Sequence, residues 1–441
     1  MTRETIFRQL HDLVSFNSVH SVPELKEEHA GACQWVENAL REAELDVQVY
    51  PTADDAPAII GTKPAEDGYP TILLYSHYDV VPAGDPAKWE SDPFTLTERN
   101  GRWYGRGAAD CKGNLVMHLE ALRQVKEAGG TKLGIKVVIE GSEEMGGEGL
   151  DTLIEEKPEL FAADIIFIAD SGNAAVGTPT LTTSLRGGAQ VTVTVDTLAT
   201  PVHSGSFGGA APDAVAILVR LLDTLRDQQG RTVIEGVDCS ATWEGQPYTA
   251  EEFRADAGIL DGVDIMGAET DQPSDMVWAR PAVTITGFTS TPVAEAVNAV
   301  PATASARLNL RVPAGMSSAD TAAKLAEHLK NHVSFGAHVT VDVEDVNEPF
   351  ATDTTGPGLT AFAASLAKAY GQEECALIGS GGSIPLTCAL QAIQPEAEIA
   401  LFGVEEPQCT IHSPNESVDP TEIERIAAAE ADFLLTYTGK N

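Results

Sequence analysis

The sequence predicts an α/β protein of two domains, in which a domain with a mostly parallel sheet is interrupted by a ferredoxin-like unit. The chain has 441 residues, which is too long for one ordinary hydrophobic core. Up to Asp170, short apolar runs alternate with helical patterns, as in a parallel sheet covered by helices. From about residue 189, apolar and polar residues alternate instead, which is typical of antiparallel strands with one solvated face.

The first part of the chain supplies the helices and strands of the parallel sheet. Apolar residues at helical spacing predict helix over most of the first 45 residues or so. Another helix is predicted from about Asn114 to the glycines at 129 and 130. The carboxyl ends of the strands form the usual ligand-binding edge of such a sheet, so the polar residues there are candidates for a site. The predicted strands are "TILLYSHYD", "GIKVVIEG" and "ADIIFIAD".

The middle of the chain has the order βαββαβ, which is that of a ferredoxin-like unit. It spans roughly residues 189–346 and contains an acidic, irregular insertion at about 229–280. After about residue 350 the pattern returns to helix, strand and helix, so the chain is predicted to re-enter the first domain. The predicted segments are therefore 1–185 and 349–441 for the first domain and 186–348 for the inserted domain.

The composition limits the partners and the compartment. The chain has 66 acidic and 28 basic residues and a formal net charge of -38. Such a surface repels phosphate backbones and anionic lipids, so we expect neither a nucleic-acid partner nor a membrane partner. The N-terminus lacks the apolar core of a secretion signal, and no apolar run is long enough to span a membrane. The six cysteines form no CxxC pair, which favours reduced thiols in a cytoplasmic protein.

Two strand ends carry unusual pairs of polar residues. The adjacent glutamates Glu143 and Glu144 follow "GIKVVIEG", and neighbouring residues of an extended chain point to opposite faces. They form either a solvated turn or a pair of acids with two separate tasks. His77 ends another strand, and Asp79 lies two residues later on the same side of an extended chain. A metal-bound histidine usually gives its second ring N–H to a carboxylate in such a position.

Three further residues complete a candidate set. Asp110 precedes a helix, which it could cap, although Asn114 suits that role at least as well. Asp170 ends an apolar strand, where aspartate is also a common turn residue, and His412 lies in a polar loop near the C-terminus. Together with His77 and a glutamate, these residues form a nitrogen and oxygen donor set without cysteine. That set favours zinc, manganese or cobalt in a catalytic site over calcium.

This donor set can serve two metal ions if one carboxylate bridges them, because each ion then has about three protein ligands and an open position for water. The spare Glu143 would be the general base that takes a proton from that water. No GxSxG motif and no GxxxxGK[ST] loop occurs, so serine-hydrolase and nucleotide-hydrolase chemistry are not supported. The predicted metal ligands are His77, Asp110, Glu144, Asp170 and His412.

Eight motifs follow one another between about residues 70 and 415. They are "LLYSHYDVVP", "WESDPFTLTERNGRWYGRGAADCKG", "VVIEGSEEMGGEG", "IIFIADSG", "PVHSGSFGGAAPDA", "NAVPATASARLNLRV", "GSGGSIP" and "IHSPNE". In this order they resemble the dizinc metallopeptidase family of carnosine dipeptidases, succinyl-diaminopimelate desuccinylases, aminoacylases and carboxypeptidase G. The resemblance is closest to the carnosinase-like dipeptidase branch. It covers both predicted domains.

The resemblance implies a role for each candidate ligand. His77 and Asp170 would bind one metal ion, and Glu144 and His412 would bind the other. Asp110 would bridge the two ions. The family implies two zinc ions, although manganese or cobalt would suit the same donors.

The resemblance also implies roles for residues that do not bind metal. Asp79 would orient His77, and Glu143 would be the base and later the acid toward the leaving amine. The βαββαβ unit would be the lid, through which a homodimer forms. His203 on this lid would polarise the scissile carbonyl, and in dimeric members it reaches the partner's active site.

Four residues match substrate-binding positions of the carnosinase-like branch. Asn298 and Arg311 match lid positions that hold substrate, and an arginine suits a terminal carboxylate because its donors pair with both oxygens. Gly382 and Ser383 belong to "GGSIP", where the loop receives the C-terminal end of the substrate. Cys111 stands where many family members carry another acid, and little effect is expected because that side chain is not a ligand.

The predicted activity is metal-dependent hydrolysis of an amide bond in small peptides, as by a dipeptidase. Within the same class, the alternatives are an N-acyl-amino-acid deacylase and a desuccinylase, for which the substrate is an acyl-amino acid. An alternative of another class is a catalytically silent binding homologue. Such a protein would be expected to lack the base or a ligand, whereas every one of these positions is filled here.

Overall fold

The computed structural model describes residues 3–382 and 384–439, so the predicted substrate-binding residue Ser383 lies outside the described residues. The helices are α1 (Arg3–Val14), α2 (Lys26–Glu42), α3 (Lys112–Glu127), α4 (Glu148–Glu156), α5 (Ser204–Phe207), α6 (Ala214–Asp223), α7 (Ala250–Asp256), α8 (Ser318–His332), α9 (Pro357–Tyr370), α10 (Pro385–Ile393) and α11 (Pro420–Thr436). The strands are β1 (Asp46–Tyr50), β2 (Ala58–Lys63), β3 (Thr71–His77), β4 (Thr97–Arg99), β5 (Arg102–Tyr104), β6 (Gly134–Glu140), β7 (Ile165–Ala169), β8 (Thr180–Leu185), β9 (Gly187–Asp196), β10 (Val202–His203), β11 (Ala282–Thr289), β12 (Ala299–Val300), β13 (Thr303–Val312), β14 (His338–Asn347), β15 (Phe350–Ala351), β16 (Ala376–Ser380), β17 (Glu398–Phe402) and β18 (Ser417–Val418).

The first compact unit takes the residues up to Thr183, Thr352–Ile378 and the segment from Pro385 onward. Its sheet runs in the order β1-β2-β6-β3-β7-β17-β8. The central strands β6, β3, β7 and β17 are parallel to one another, and the strands on either side are antiparallel. The predicted α/β class with a parallel sheet is confirmed.

Helices cover this sheet and fix the ends of its central strands. Helix α11 packs against α3 and α9. Phe167 of β7 lies at the centre of an aromatic cluster, with ring centroids 4.2 Å from Phe362, 5.4 Å from Phe402 and 5.1 Å from Phe433. All four rings are buried, so β7 and β17 are anchored on α9 and α11 by apolar burial.

The second unit takes Ser184–Ala351 and Gly379–Ile384. Its antiparallel sheet has the order β11-β13-β9-β14. The two central strands, β9 and β13, are the first and third strands of the βαββαβ series. This is the ferredoxin-like arrangement that the order of elements predicts. The alternation in β9 buries Val191, Val193 and Val195 in one core with residues of α6 and α8.

The described residues contain no helix that is both long enough and apolar enough to cross a membrane. The six cysteines are all free thiols.

The insertion between β10 and β11 contains α7 and an aromatic cluster, in which Trp278 stacks on Tyr248 and meets Trp243 edge to face. The insertion is therefore a packed part of the second unit and not an extended loop.

Candidate active site

His77 is the last residue of β3, which lies between β6 and β7 in the sheet. Its ring is fully buried, and Nδ1 lies 3.2 Å from Oδ1 of Asp79 and 3.1 Å from the carbonyl oxygen of Asp79. Nε2 faces the other way, 3.2 Å from an oxygen of Asp110 and 3.3 Å from an oxygen of Asp170. Because Asp79 engages Nδ1, Nε2 is the nitrogen that can bind a cation.

Asp110 presents its two carboxylate oxygens to two different imidazoles. Oδ1 lies 3.2 Å from Nε2 of His77, and Oδ2 lies 3.0 Å from Nε2 of His412. A carboxylate in this orientation can bridge two cations, one beside each histidine. The capping role suggested for Asn114 is wrong, because α3 begins after Cys111 without a side-chain cap. The Asn114 amide instead donates to Glu405 and accepts the N–H of Val404.

A buried glutamate that sequence analysis did not single out fixes the backbone around Asp110. Oε1 of Glu416 accepts the N–H groups of Ala109 and Asp110, each at 3.1 Å. Oε2 accepts the N–H of Gly107 at 3.0 Å and a guanidinium N–H of Arg106 at 2.6 Å. Four donors on one carboxylate stabilise this conformation of the loop, since each bond to a charged group is stronger than a neutral one.

The two glutamates lie in a short 3₁₀ turn, Glu143–Met145, directly after β6. The Asp79 carboxylate accepts the backbone N–H of Glu143 at 3.2 Å and that of Glu144 at 3.1 Å. Asp79 therefore connects this turn to the ring of His77. Gly146 and Gly147 follow with φ values of 97° and 67°, a left-handed conformation that glycine adopts without steric cost.

The adjacent glutamates differ in their partners. Oε2 of Glu144 lies 3.1 Å from Nε2 of His412, whereas Oε2 of Glu143 stays 4.0 Å from Nε2 of His77. Their side chains are only 6% and 21% exposed, respectively, so the alternative of a solvated turn does not describe the pair. The Glu144 carboxylate is therefore within hydrogen-bonding distance of His412. The Glu143 carboxylate lies near His77 but beyond that distance.

The electrostatics of this group fit cations. Burial, followed by repulsion from Asp170, raises the pKa of Glu143 to about 9. Hydrogen bonds to Asp110 and Glu144 raise the pKa of His412 to about 10. Oε1 of Glu144 is buried and has no hydrogen-bond partner among the described residues. So many buried acids are costly without positive charge, and two divalent cations would supply it.

Three of the predicted ligands offer donor atoms that all lie within 4.8 Å of one another, namely His77, Asp110 and Glu144. Asp170 joins them through His77, and His412 joins them through Asp110 and Glu144. All five ligands predicted from the sequence are thus brought together within the first unit. His412 has a φ of 59°, a left-handed conformation that is uncommon outside glycine and recurs at functional sites.

The second unit carries the other predicted residues. His203 on β10 is paired with Ala299 on β12, and the carbonyl oxygen of Asn298 accepts the N–H of Ser204 at 2.9 Å. His203 and Asn298 therefore lie side by side, and both are exposed. Arg311 on β13 is partly buried, and its Nε donates to Oδ1 of Asn309 at 3.1 Å.

Arg186, which sequence analysis did not single out, lies beside the "GSGGSIP" loop. A Cβ placed on Gly381 would be 3.1 Å from its Nη2. Its Nε and Nη1 are buried and have no hydrogen-bond partner among the described residues. Burial, with the charge of Arg311 as a second cause, lowers the pKa of Arg186 to about 10. Two neighbouring arginines, one of them with buried unpaired donors, favour binding of an anion.

Comparison with known proteins places this arrangement in a family. Residues 73–436 match the family model of peptidase family M20/M25/M40. The chain belongs to this family. It is 59% identical over 436 residues to the cysteinylglycine-S-conjugate dipeptidase of Corynebacterium striatum, covering 99% of this chain and 96% of that protein.

Two more distant relatives are also dipeptidases by name. The Cys-Gly metallodipeptidase DUG1 of Saccharomyces cerevisiae is 27% identical over 407 residues, covering 87% of this chain and 82% of that protein. The crystal structure of human carnosine dipeptidase 1 has a TM-score of 0.79 at 23% identity, covering 98% of this chain and 96% of that chain. That likeness shows a shared fold. The predicted family and the predicted class, a hydrolase of the metallopeptidase and dipeptidase type, are confirmed.

Proposed function

We propose that this M20 peptidase hydrolyses dipeptides that carry an S-substituted cysteine followed by glycine. The observation that carries the proposal is the 59% identity, over 99% of the chain, to a cysteinylglycine-S-conjugate dipeptidase. An alignment of this extent spans both units and is not confined to the metal-binding motifs. The free acid at the C-terminus of such a dipeptide would suit the arginines of the second unit.

The proposed centre holds two divalent cations, which we take to be zinc because the donors are imidazoles and carboxylates. His77 and Asp170 would hold one cation, Glu144 and His412 would hold the other, and Asp110 would contribute one oxygen to each. The support for this division is that the two oxygens of Asp110 face different histidines. When bound, the cations polarise the scissile carbonyl and activate the attacking water.

Glu143 moves the proton in this proposal. It takes a proton from the attacking water and delivers it to the amine that leaves. Its carboxylate lies 4.0 Å from Nε2 of His77, so that ring is too far away to compete for the proton through a hydrogen bond. Asp79 fixes both the tautomer of His77 and the backbone of Glu143. It thus fixes the position of the base relative to the ligand His77.

The residues of the second unit bind the substrate in this proposal. Arg311 and Arg186 receive the C-terminal carboxylate, since the charge of Arg311 acts on Arg186 and Arg186 has donors that are unpaired among the described residues. Asn298 and the loop at Gly382 position the same end of the dipeptide. His203, which is exposed beside Asn298, stabilises the oxyanion that forms at the carbonyl.

The substrate is tested with the purified, metal-loaded protein and four compounds of matched concentration. These are S-benzyl-cysteinylglycine, its C-terminal amide, an N-acetyl amino acid and an N-succinyl amino acid. The free dipeptide is expected to have the highest kcat/KM. A higher kcat/KM for either acyl amino acid would instead identify a deacylase or a desuccinylase, and the absence of any hydrolysis would indicate a binding protein.

Arg311→Met is expected to raise KM for the free dipeptide by about 10- to 100-fold, because a hydrogen-bonded charge pair contributes about 1.5–3 kcal/mol. The amide has no carboxylate to lose, so its KM should hardly change. Steady-state kinetics with both substrates measure the difference. Arg307→Met is the matched control, because Arg307 lies on the same strand but pairs with Glu344 at the surface. An equal loss on acid and amide would contradict a carboxylate-binding role.

We also propose a homodimer formed through the second unit. Its outer strand β11 exposes Ile285 and Phe288, which are 50% and 45% exposed. An apolar outer strand of this kind favours association with another chain. Light scattering should give the mass of two chains, and Phe288→Glu should give the mass of one. A single-chain mass for the unaltered protein would contradict the dimer.

The free cysteines favour a cytoplasmic location, because a reducing compartment keeps thiols unpaired. Cell fractionation tests this part of the proposal. Recovery of the protein outside the cytoplasm would contradict it.

A further inference from the structure

Glu405 is a buried acid beside the candidate metal centre that belongs to no predicted ligand set. It follows β17, the parallel neighbour of β7, and only 8% of the residue is exposed. One of its carboxylate oxygens lies within 4.8 Å of oxygens of both Asp110 and Asp170. The three acids thus converge at the carboxyl end of the sheet, where like charges repel one another unless a cation lies between them.

The surrounding residues are shaped to hold the Glu405 carboxyl in this place. Oε1 accepts an N–H of the Asn114 amide at 2.5 Å, and the Asn114 oxygen is occupied by the N–H of Val404 at 2.9 Å. A Cβ on Gly403 would lie 2.5 Å from Oε2 of Glu405, and one on Gly172 would lie 2.9 Å from its Cβ. Both glycines therefore leave the space that this side chain fills.

The second oxygen of Glu405 lacks a partner in the described part of the chain. Oε2 is buried and makes no hydrogen bond with any of the described residues. The adjacent residue Glu406 is also buried, but it forms an ion pair with Arg102 at 2.5 Å. A buried carboxylate oxygen without a donor or a counter-ion is costly. A cation next to Asp110 and Asp170 would offset this cost for Glu405.

We propose that Glu405 is a positioning residue of the metal centre, which strengthens the binding of a divalent cation by adding a third carboxyl group beside Asp110 and Asp170. The inference rests on the proposed two-metal function. Glu405 acts from outside the ligand set, as residues around metal ligands commonly do. It also follows that Glu405 destabilises the metal-free protein, because its charge then faces the other acids without compensation.

The test compares the unaltered protein with Glu405→Gln and Glu406→Gln. Zinc affinity is measured by competition with a chelator, and thermal unfolding is measured for the metal-free and the zinc-loaded protein. Glu405→Gln is expected to weaken zinc binding by about 10- to 100-fold, and to leave the Tm of the metal-free protein unchanged or higher. Glu406→Gln removes the ion-pair partner of the partly buried Arg102, so it should lower both Tm values and leave zinc affinity within about twofold.

The proposal is overturned if Glu405→Gln binds zinc as tightly as the unaltered protein, or if it lowers the two Tm values equally. Glu405→Asp keeps the charge but moves it back by one methylene group, so its zinc affinity should fall less than that of the glutamine variant. An aspartate variant that binds no better than the glutamine variant would overturn the charge argument. Failure of the unaltered protein to bind zinc or hydrolyse a dipeptide would instead overturn the proposed function.

Discussion

Glu143→Gln is expected to lower kcat by about 10²- to 10⁴-fold, the usual contribution of a positioned general base. The amide of glutamine has nearly the same shape as the carboxylate but cannot take a proton. Metal content should stay at two ions per chain, because Glu143 is not at hydrogen-bonding distance from His77, the proposed ligand that it faces. Elemental analysis and steady-state kinetics on the same preparation measure both quantities.

The control for this variant is Glu148→Gln, which removes an exposed acid from the first turn of α4 a few residues further along. Its kcat should match that of the unaltered protein. Full activity of Glu143→Gln with metal bound would show that another group takes the proton. Loss of metal from Glu143→Gln would show that this carboxylate is a ligand.

Asp110→Ala is expected to abolish activity and to reduce metal content below one ion per chain. The physical reason is that the two Asp110 oxygens face His77 and His412. Both cations would therefore lose an oxygen donor, and the negative charge that reduces the repulsion between them would be lost as well. Elemental analysis after dialysis against metal-free buffer measures the content. The metal-free Tm should fall, because the buried contacts of Asp110 with His77 and His412 are lost, although the Glu416 contacts to the backbone of this loop remain.

Asp170→Ala provides the matched comparison, because Asp170 lies beside His77 and not between the two histidines. It should lose one ion and keep the ion held by Glu144 and His412. Retention of two ions by Asp110→Ala would disprove the bridging role. Loss of both ions from each variant would show that the two sites fill only together.

The architecture could be predicted from the sequence because its two sheets have different patterns. Buried runs such as that of β3 have apolar residues on both faces, whereas β9 alternates strictly, and this contrast separates the two units. Four of the proposed ligands could also be recognised as candidates, because they are polar residues that follow apolar strands or lie in a glycine-rich turn. His412 was a candidate only as a histidine in a polar loop near the C-terminus, so its role depended more than the others on the resemblance of its motif to those of a known family.

The supporting residues could not be predicted in the same way. Glu416 accepts the N–H of Asp110 although the two residues are 306 positions apart in the sequence. A side chain that accepts backbone hydrogen bonds produces no recognisable sequence pattern. The resemblance predicts that Asp79 orients His77, but the bonds from Asp79 to the turn after β6 arise only when β3 and β6 lie side by side. The capping role predicted for Asn114 fails because its real partners, Val404 and Glu405, are distant in sequence.

The two ligand imidazoles differ in their access to solvent. The His77 side chain is completely buried, whereas 54% of the His412 side chain is exposed. Under the proposed ligand assignment, a chelator reaches the ion at Glu144 and His412 first, so metal should leave in a fast phase and a slow phase. When the concentration of free metal falls, the enzyme would then keep the ion at His77 and lose the ion at His412. Its activity would therefore depend on the concentration of free metal available to the His412 site.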